Sequence, residues 1–347
     1  MKYRLFGKSG LRVSELALGT MTFGEEWGWG ASYEDSKAVF DRFAEAGGNF
    51  VDTANNYTNG TSEKYVGEFI HSEREKFVVA TKYTLSTSPD DPNGNGNHRK
   101  NLLFSVERSL GRLQTDYIDI LWLHAWDFTT PLEEILKSLD SLISSGKVLY
   151  IGISDTPAWI VSRANMMAEL KGWSEFVGLQ IQYSLLQRSA ERDLIPMATE
   201  LDIAITPWGA IGSGMLSGKY TIGKQDKHSR GEWSNSLLNE RNFKIAEMVD
   251  SIAKKYSKPS SAVALAWCVQ KNKGVVIPIV GARSEKQIAE SLEMNNLHLD
   301  EDDFKLLDGV SAIELGFPHD FLRAESVKNV IHGNTYNKLI NHRRKQN

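Results

Sequence analysis

The feature that most constrains the fold of this chain is an alternation of short apolar runs with longer amphipathic stretches. Eight of the runs are rich in β-branched residues and apolar on both faces, which is typical of strands buried between two layers. They occupy residues 16–20, 49–54, 77–83, 117–124, 148–155, 177–184, 203–209 and 274–282. Strands that alternate with helices run in one direction and are joined by right-handed crossovers. The pattern therefore predicts an α/β fold closed as a (β/α)8 TIM barrel, with a doubly wound open sheet as the alternative.

The predicted helices begin and end at residues that suit those positions. One ends at Gly47 and Gly48, and another opens at Pro131, a residue that fits the first helical turn. Helical spacing of apolar residues covers 33–46, 99–114, 131–145, 156–170, 191–201, 241–256, 260–272 and 284–294. Because Pro259 separates 241–256 from 260–272, we expect two helices within that one connection.

The length of 347 residues would allow two or three average domains, yet such a barrel needs only roughly 250 residues. We assign the excess to an N-terminal hairpin at about 3–14, to long connections at 84–100 and 220–239, and to a C-terminal tail at about 315–347. Both long connections follow predicted strands, at the end where barrels carry their sites. No linker composition divides the chain, so we predict a single domain over residues 1–347.

The composition excludes several classes of protein. The chain has 40 Lys and Arg against 44 Asp and Glu, and this balance predicts no nucleic-acid-binding surface. The longest uncharged run, 203–218, is too short and too broken by glycine to span a membrane. Cys268 is the only cysteine, which excludes an intramolecular disulfide, and the first residues lack the apolar core of a signal peptide. We expect a cytoplasmic protein of unspecified oligomeric state.

Common cofactor and metal motifs are absent from the sequence. The histidines are scattered and none has metal-ligand spacing with Cys268, so no metal site is predicted. Neither Gly-x-Gly-x-x-Gly nor a complete phosphate loop occurs, because Gly218-Lys219 is followed by Tyr220. A Gly-x-Ser-x-Gly nucleophile elbow is also missing. The chemistry must therefore come from other polar residues.

Polar side chains stand at the ends of three consecutive predicted strands. Asp52, Lys82 and His124 end the second, third and fourth strands, and Tyr57 follows five residues after Asp52. A lysine next to an apolar run must be paired, and Asp52 on the neighbouring strand is the natural partner. An ammonium beside a phenol stabilises the phenolate and lowers the pKa of the phenol, which suits proton donation by Tyr57. We expect His124 to hydrogen-bond the tyrosine oxygen or an incoming carbonyl.

Each of these residues has a simpler explanation when it is taken alone. An aspartate after a strand commonly caps a turn, and a lone lysine commonly forms a surface salt bridge. A lone histidine is commonly a buried, hydrogen-bonded residue, and a loop tyrosine commonly packs. The prediction that all four residues lie at one barrel mouth favours a catalytic role for them as a group.

At these residues the chain resembles the aldo-keto reductases, which are NAD(P)H-dependent (β/α)8-barrel enzymes. The similar motifs are LALGTMTFG at 16–24, DTANNY at 52–57, ATKY at 80–83, LWLH at 121–124, GISD at 152–155, PWGAIGSGMLSGKY at 207–220 and IPIVGARSEKQIAES at 277–291. The version with DTANNY and Trp208 looks most similar to bacterial oxidoreductases and potassium-channel β-subunits. The resemblance implies a catalytic tetrad of Asp52, Tyr57, Lys82 and His124, with Tyr57 as general acid.

The resemblance also implies a cofactor site along the barrel mouth. Its residues are Gly19, Thr20, Met21 and Asp52 at the ribose; Ser154, Asp155, Gln180 and Trp208 at the nicotinamide; Gly209, Ala210, Ile211 and Leu216 at the pyrophosphate; and Gly281, Arg283, Gln287 and Ser291 at the adenosine. Asp155 stands where the family usually has Asn, so it accepts hydrogen bonds only. Arg283 suits a 2′-phosphate, which favours NADPH, although NADH remains possible and a surface salt bridge with Glu285 or Glu290 is the alternative.

The function that follows is the reduction of an aldehyde or ketone to an alcohol by hydride transfer from the nicotinamide. Trp27 and Trp126, in loops after the first and fourth strands, are the predicted substrate contacts, and they suggest an apolar carbonyl compound. Two alternatives stay open at this stage. One is a cofactor-sensing regulatory subunit similar to the channel β-subunits, and the other is a barrel enzyme that uses Lys82 for a Schiff base.

Overall fold

The computed structural model describes residues 1–219, 237–272 and 276–340. Two compact units divide the chain, Met1–Ser311 and Ala312–Asn347. Most of the connection predicted at 220–239 lies outside the described residues, as does the start of the strand predicted at 274–282. The single domain over 1–347 stays a prediction.

The first unit is built from strands that alternate with helices. The strands are β1 (Tyr3–Leu5), β2 (Arg12–Ser14), β3 (Ala17–Gly19), β4 (Phe50–Asp52), β5 (Val78–Tyr83), β6 (Ile118–Leu123), β7 (Val148–Ser154), β8 (Phe176–Gln182), β9 (Ala204–Trp208) and β10 (Ile279–Gly281). The helices are α1 (Tyr33–Glu45), α2 (Thr61–Ile70), α3 (Arg99–Leu113), α4 (Leu132–Ser144), α5 (Ala158–Lys171), α6 (Leu194–Glu200), α7 (Glu240–Tyr256), α8 (Ser260–Lys271), α9 (Glu285–Leu292) and α10 (Glu301–Val310).

Eight of the strands form one parallel sheet in the order β10-β3-β4-β5-β6-β7-β8-β9. The two edges of this sheet meet, because Val276 bridges Ile205 of β9 and the Ile277 N–H donates to the Ile205 carbonyl at 2.9 Å. The helices surround the strands, and apolar side chains fill the space between the two layers. The predicted (β/α)8 barrel is therefore confirmed, and the open sheet is excluded.

The predicted N-terminal hairpin is also present, as β1 and β2 pair antiparallel with Tyr3 opposite Ser14. Phe6, just after β1, is fully buried inside the barrel. Its ring centroid lies 5.7 Å from that of Phe50 and 6.2 Å from that of Trp122. Gly152 makes room for this group, since a Cβ there would lie 2.3 Å from the Trp122 ring. The hairpin thus fills the end of the barrel opposite the strand termini that carry the candidate site.

Two helices of the first unit were not predicted. Helix α2 has ten residues, two of them glutamates, and Gly67 interrupts its apolar spacing. Helix α10 opens with three acidic residues, and its burial is limited to Asp303 and Leu307. The sequence analysis assigned no helix to either segment.

The described part of the second unit holds two short α-helices, α11 (His319–Arg323) and α12 (Glu325–His332), followed by the 3-10 helix Gly333–Lys338. The sequence analysis assigned this region to a C-terminal tail and predicted no secondary structure elements within it. Several of its apolar side chains are exposed, among them Phe317, Val330 and Ile340.

Candidate active site

The carboxyl ends of β4, β5 and β6 bring three of the predicted catalytic residues to one face of the barrel. Asp52 ends β4, Lys82 precedes the last residue of β5, and His124 directly follows β6. In the sheet Asp52 pairs with Ala80, and Lys82 pairs with Trp122. Tyr57 opens the 3-10 turn Tyr57–Gly60 after β4. Strand register is the reason these side chains gather, because parallel strands end at one edge.

Lys82 is fully buried and forms an ion pair with the Asp52 carboxylate. Its ammonium also donates to the Thr53 carbonyl at 2.7 Å, and Gln180 Nε2 donates to the second Asp52 oxygen at 3.0 Å. Burial lowers the pKa of the Lys82 ammonium, but the Asp52 carboxylate and Tyr57 outweigh that effect, and the net pKa is raised. Lys82 is therefore a cation held in a fixed position at neutral pH.

Tyr57 lies against this cation. The Lys82 Nζ atom is 4.7 Å from the centroid of the Tyr57 ring, and the His124 ring centroid is 6.0 Å from it. Burial raises the pKa of the Tyr57 hydroxyl, and Lys82 opposes this only in part, so the net pKa is above the usual value of 10.0. The sequence argument considered only the lowering by Lys82. In this structure Tyr57 keeps its proton across the neutral range, as a proton donor must.

His124 is neutral at physiological pH. Burial and the nearby Lys82 cation hold the pKa of its imidazole well below 6.5. Its Nδ1 atom is buried with no hydrogen-bond partner among the residues that the structure describes. A buried polar atom without a partner is costly, so this ring nitrogen is suited to meet a polar group of a ligand.

The state of His124 predicts how the stability of the fold depends on pH. The unfolded chain protonates this histidine near pH 6.5, whereas the folded chain does so only at lower pH. The unfolded state therefore binds more protons below that value, and stability falls there by up to about 1.4 kcal/mol per pH unit. We expect His124→Gln to flatten this dependence in urea unfolding measured from about pH 8 to pH 5. His71→Gln, which removes an exposed histidine, is the control, and an equal slope for both variants would contradict the prediction.

The residues predicted at the nicotinamide lie together. Ser154 of β7 pairs with Gln180 of β8, which puts both side chains at one level of the barrel. The side-chain nitrogen of Gln180 donates to Asp52, and its side-chain carbonyl oxygen is an acceptor that suits a ligand. Trp208 Nε1 donates to Asp155 Oδ1 at 3.1 Å. The sequence analysis missed this last bond, which gives Asp155 a role in orienting the indole ring.

The residues predicted at the ribose follow β3. Gly19 ends the strand, Thr20 is buried, and Met21 is exposed. The Thr20 hydroxyl donates to the Asp52 carbonyl at 3.1 Å and lies 2.8 Å from the Ser62 hydroxyl. Thr20 thus supports the end of β4, and the Met21 side chain is the one of the three that extends toward solvent.

The predicted pyrophosphate segment is a tight turn after β9. Gly209 and Gly212 have φ of 65° and 57°, a region that favours glycine, and the Gly212 N–H donates to the Gly209 carbonyl at 2.8 Å. The side chains of Ala210 and Leu216 are buried in the core, while Ile211 packs against it. A ligand here would therefore contact this turn mainly through its backbone, which is how such turns bind phosphate groups.

The residues predicted at the adenosine lie at the end of β10 and along α9. Gln287 Oε1 accepts from the Arg283 N–H at 2.9 Å, and the Ser291 hydroxyl donates to the Gln287 carbonyl at 3.1 Å. Both side chains therefore serve the local backbone in this structure. Among the described residues the Arg283 guanidinium forms no ion pair, so the proposed salt bridge with Glu285 or Glu290 is not formed. Gly281 is exposed beside them.

The two predicted substrate residues differ in their surroundings. The Trp27 ring lies 6.3 Å from the Tyr57 ring and 5.5 Å from the Trp29 ring, centroid to centroid. Trp126 is half-buried against the core, and its backbone N–H donates to the backbone carbonyl of Asp155 at 3.5 Å. A cavity of about 450 Å³ lies next to Asp155 and Trp208, at the carboxyl ends of β7 to β9. Trp27 thus gives Tyr57 an aromatic neighbour, while the cavity lies beside Asp155 and Trp208.

Comparison with known proteins identifies the family to which this chain belongs. A model of the Aldo/keto reductase family matches residues 15–312. A norsolorinic acid reductase of Aspergillus flavus is 37% identical over 328 residues, which cover 92% of this chain and 83% of that protein. An aryl-alcohol dehydrogenase of Pestalotiopsis microspora is 38% identical, over 92% of this chain and 85% of that protein. An aryl-alcohol dehydrogenase [NADP(+)] of Phanerodontia chrysosporium is 36% identical, over 93% and 89%.

The chain therefore belongs to the aldo/keto reductase family, and it is an oxidoreductase of carbonyl and alcohol groups. The predicted family is confirmed. The similarity to one branch of the family, that of the channel β-subunits, stays a prediction, since the relatives named above are fungal reductases and dehydrogenases. Within the described residues, no helix combines the length and apolar character needed to cross a membrane.

Proposed function

We propose that the chain reduces an aldehyde or ketone to an alcohol with NADPH, and that Tyr57 is the general acid. The observation that carries the proposal is Lys82, a buried cation paired with Asp52 and facing the Tyr57 ring at 4.7 Å. Burial keeps the Tyr57 phenol protonated before reaction, and the Lys82 cation stabilises the phenolate afterwards. NADPH supplies, when it is bound, a hydride for the carbonyl carbon.

In this mechanism the residues of the chain donate the proton and stabilise the negative charge that forms on Tyr57. Tyr57 gives the proton of its hydroxyl to the carbonyl oxygen as the C–O double bond becomes single. Lys82 stabilises the phenolate that remains, and Asp52 and the Thr53 carbonyl keep the ammonium in place. Neutral His124 is suited to hydrogen-bond the substrate oxygen, which would give its buried ring nitrogen a partner.

The donor set of the barrel mouth fits a nicotinamide dinucleotide. Gln180 offers a side-chain carbonyl oxygen, Trp208 offers an indole face, and the turn that begins at Gly209 offers backbone groups to a pyrophosphate. We propose that Ser154, Asp155, Gln180 and Trp208 hold the nicotinamide. The Arg283 guanidinium, which has no ion-pair partner among the described residues, would bind a 2′-phosphate and so favour NADPH over NADH.

The role of Arg283 predicts a selective change in cofactor use. Arg283→Ala should raise KM for NADPH by about 10- to 100-fold, the value of one charged contact, and change KM for NADH less than threefold. Lys286→Ala, which removes an exposed cation three residues further along the chain, at the start of α9, is the matched control. Steady-state kinetics with both cofactors provide the measurement. Equal losses with NADPH and NADH, or a wild type that prefers NADH, would contradict the assignment.

The substrate class is proposed from the site and from the relatives. Trp27 and Trp29 pack beside Tyr57, and apolar walls of this kind suit aromatic or other apolar carbonyl compounds. The names of the relatives, norsolorinic acid reductase and aryl-alcohol dehydrogenase, support aromatic substrates. The test is loss of NADPH absorbance with a panel of aromatic and aliphatic aldehydes and ketones. Absence of turnover with every member would overturn the proposal.

The Schiff-base alternative is disfavoured by the state of Lys82. A nucleophilic lysine needs a lowered pKa, whereas the pKa of Lys82 is raised and its ammonium is bonded to Asp52 and the Thr53 carbonyl. Borohydride treatment with substrate is expected to leave the protein without an adduct.

A further inference from the structure

Two loops at the mouth of the barrel are joined by a cluster of hydrogen bonds that the proposed reaction does not use. Asn97, fully buried, belongs to the long loop after β5, and Asp127 belongs to the loop after β6. The Asn97 N–H donates to Asp127 Oδ2 at 2.8 Å, and Asn97 Nδ2 donates to the Ala125 carbonyl at 3.1 Å. We call Thr84, Asn97 and Asp127 the loop clamp.

Thr84 anchors the loop clamp to the catalytic strands. It follows Lys82 by two residues, and its hydroxyl donates to Asn97 Oδ1 at 2.7 Å and accepts from the His124 N–H at 3.2 Å. Its φ is +100°, an outlier for a β-branched residue. Such strain persists where surrounding bonds impose it, and it is concentrated at functional sites. The clamp thus ties both loops to the backbone of His124.

The clamp also fixes an aromatic residue in an unfavourable position. The Asp127 carboxylate accepts from the N–H groups of Thr129 and Thr130, each at 3.0 Å, and from the Thr130 hydroxyl at 2.7 Å. These bonds curl the chain around Phe128, which has a φ of +58° and is 76% exposed. Both a left-handed backbone and an exposed large ring are unfavourable for phenylalanine.

The place of Phe128 indicates what the ring could contact. It lies four residues after His124, and between them the Trp126 N–H approaches the Asp155 carbonyl. The segment 124–128 therefore crosses the mouth beside His124, with Trp126 close to Asp155 and Asp127 bonded to Asn97 of the loop after β5. A ring exposed at this position loses its contact with water when an apolar ligand covers it, which favours binding.

We propose that Phe128 is a specificity-determining residue that contacts large apolar substrates, and that Asp127 is a positioning residue that acts through it. The inference rests on the proposed carbonyl reduction and adds the part of the mouth that selects the substrate. The Asp127 carboxylate is well suited to the task, since its hydrogen bonds lower its pKa to about 2 against the opposing effect of burial. It therefore stays an acceptor throughout the neutral range.

The first test compares naphthaldehyde, a large aromatic substrate, with propanal. Phe128→Ala should lower the ratio of kcat/KM for naphthaldehyde over propanal about tenfold, mainly by raising KM for naphthaldehyde. Phe128→Tyr should restore the ratio. Phe104→Ala, which removes an exposed ring from α3, is the matched control and should leave the ratio unchanged. An unchanged ratio in Phe128→Ala would overturn the role of Phe128.

The second test examines whether Asp127 acts through Phe128. Asp127→Ala should lower the same ratio about tenfold in the wild-type background and less than twofold in the Phe128→Ala background, because the two changes remove one contact. Asp127→Asn, which keeps one acceptor oxygen, is measured beside it with the thermal midpoint of each variant. An equal loss in both backgrounds would show that Asp127 is merely structural and would overturn its positioning role.

A calorimetric titration with naphthalenemethanol separates this proposal from the proposed function, since it needs no turnover. Weaker binding to Phe128→Ala than to wild type supports the contact even in a protein that reduces no carbonyl compound. Equal binding, or no binding to either protein, overturns the contact whatever the assay of reduction shows.

Discussion

Tyr57→Phe is expected to lower kcat for carbonyl reduction by about 100- to 10,000-fold, the usual contribution of a positioned general acid. The variant loses only the hydroxyl, and the ring keeps its place against Lys82 and Trp27. Binding of NADPH, measured by fluorescence titration, should therefore stay within about threefold of wild type. Steady-state loss of NADPH absorbance provides the rate.

Tyr65→Phe is the matched control for this experiment. Tyr65 lies on α2, where its ring packs against Tyr33 at 5.0 Å, away from Lys82. Its variant should reduce substrate at the wild-type rate within about twofold. Wild-type turnover in Tyr57→Phe would refute the proposed acid, and a matching loss in Tyr65→Phe would show that the effect is not specific.

Lys82→Met is expected to destabilise the fold by about 3–5 kcal/mol and to abolish turnover. The substitution keeps the volume of the side chain but leaves the buried Asp52 carboxylate, which still accepts from Gln180 Nε2, without its cationic partner. Removing one partner of a buried ion pair is costly because the other charge stays uncompensated. Urea unfolding of wild type and variant provides the free energies.

The pH dependence of this loss has a defined sign. Burial raises the pKa of the Asp52 carboxyl, and Lys82 opposes that shift, so removing Lys82 raises the pKa further. The folded variant then binds more protons than its unfolded chain, and its stability falls as pH rises above about 4. The double variant Asp52→Asn/Lys82→Met, which has no buried charge at this place, should recover much of the stability. A single variant as stable as wild type would contradict the ion pair.

Much of the candidate site could be predicted because it depends on strands. Asp52, Lys82 and His124 each end a run of β-branched and apolar residues, and parallel strands deliver their carboxyl ends to one face. The closure of the barrel followed from the number of such runs. These inferences needed only the spacing of residues along the chain, and they did not depend on the path of any loop.

The parts that were missed depend on contacts between distant loops. The loop clamp joins Thr84 and Asn97 to Asp127, and the Trp208 indole bonds to Asp155, across separations that no periodic pattern encodes. A partial signal was present, since an aspartate followed by Thr129, Thr130 and Pro131 is typical of a turn that enters a helix. The direction of the shift in the Tyr57 pKa was missed for a similar reason, because burial of a side chain is a property of the packed structure.

The hairpin that carries Phe6 determines from which side a ligand can reach the candidate site. With Phe6, Phe50 and Trp122 packed inside one end of the barrel, nothing can pass along its axis. Everything that reaches Asp52 and Lys82 must enter on the side of the loops, and everything that is made there must leave by the same side. Arrival of one molecule and departure of another therefore compete for a single opening, and the loops that frame it control both.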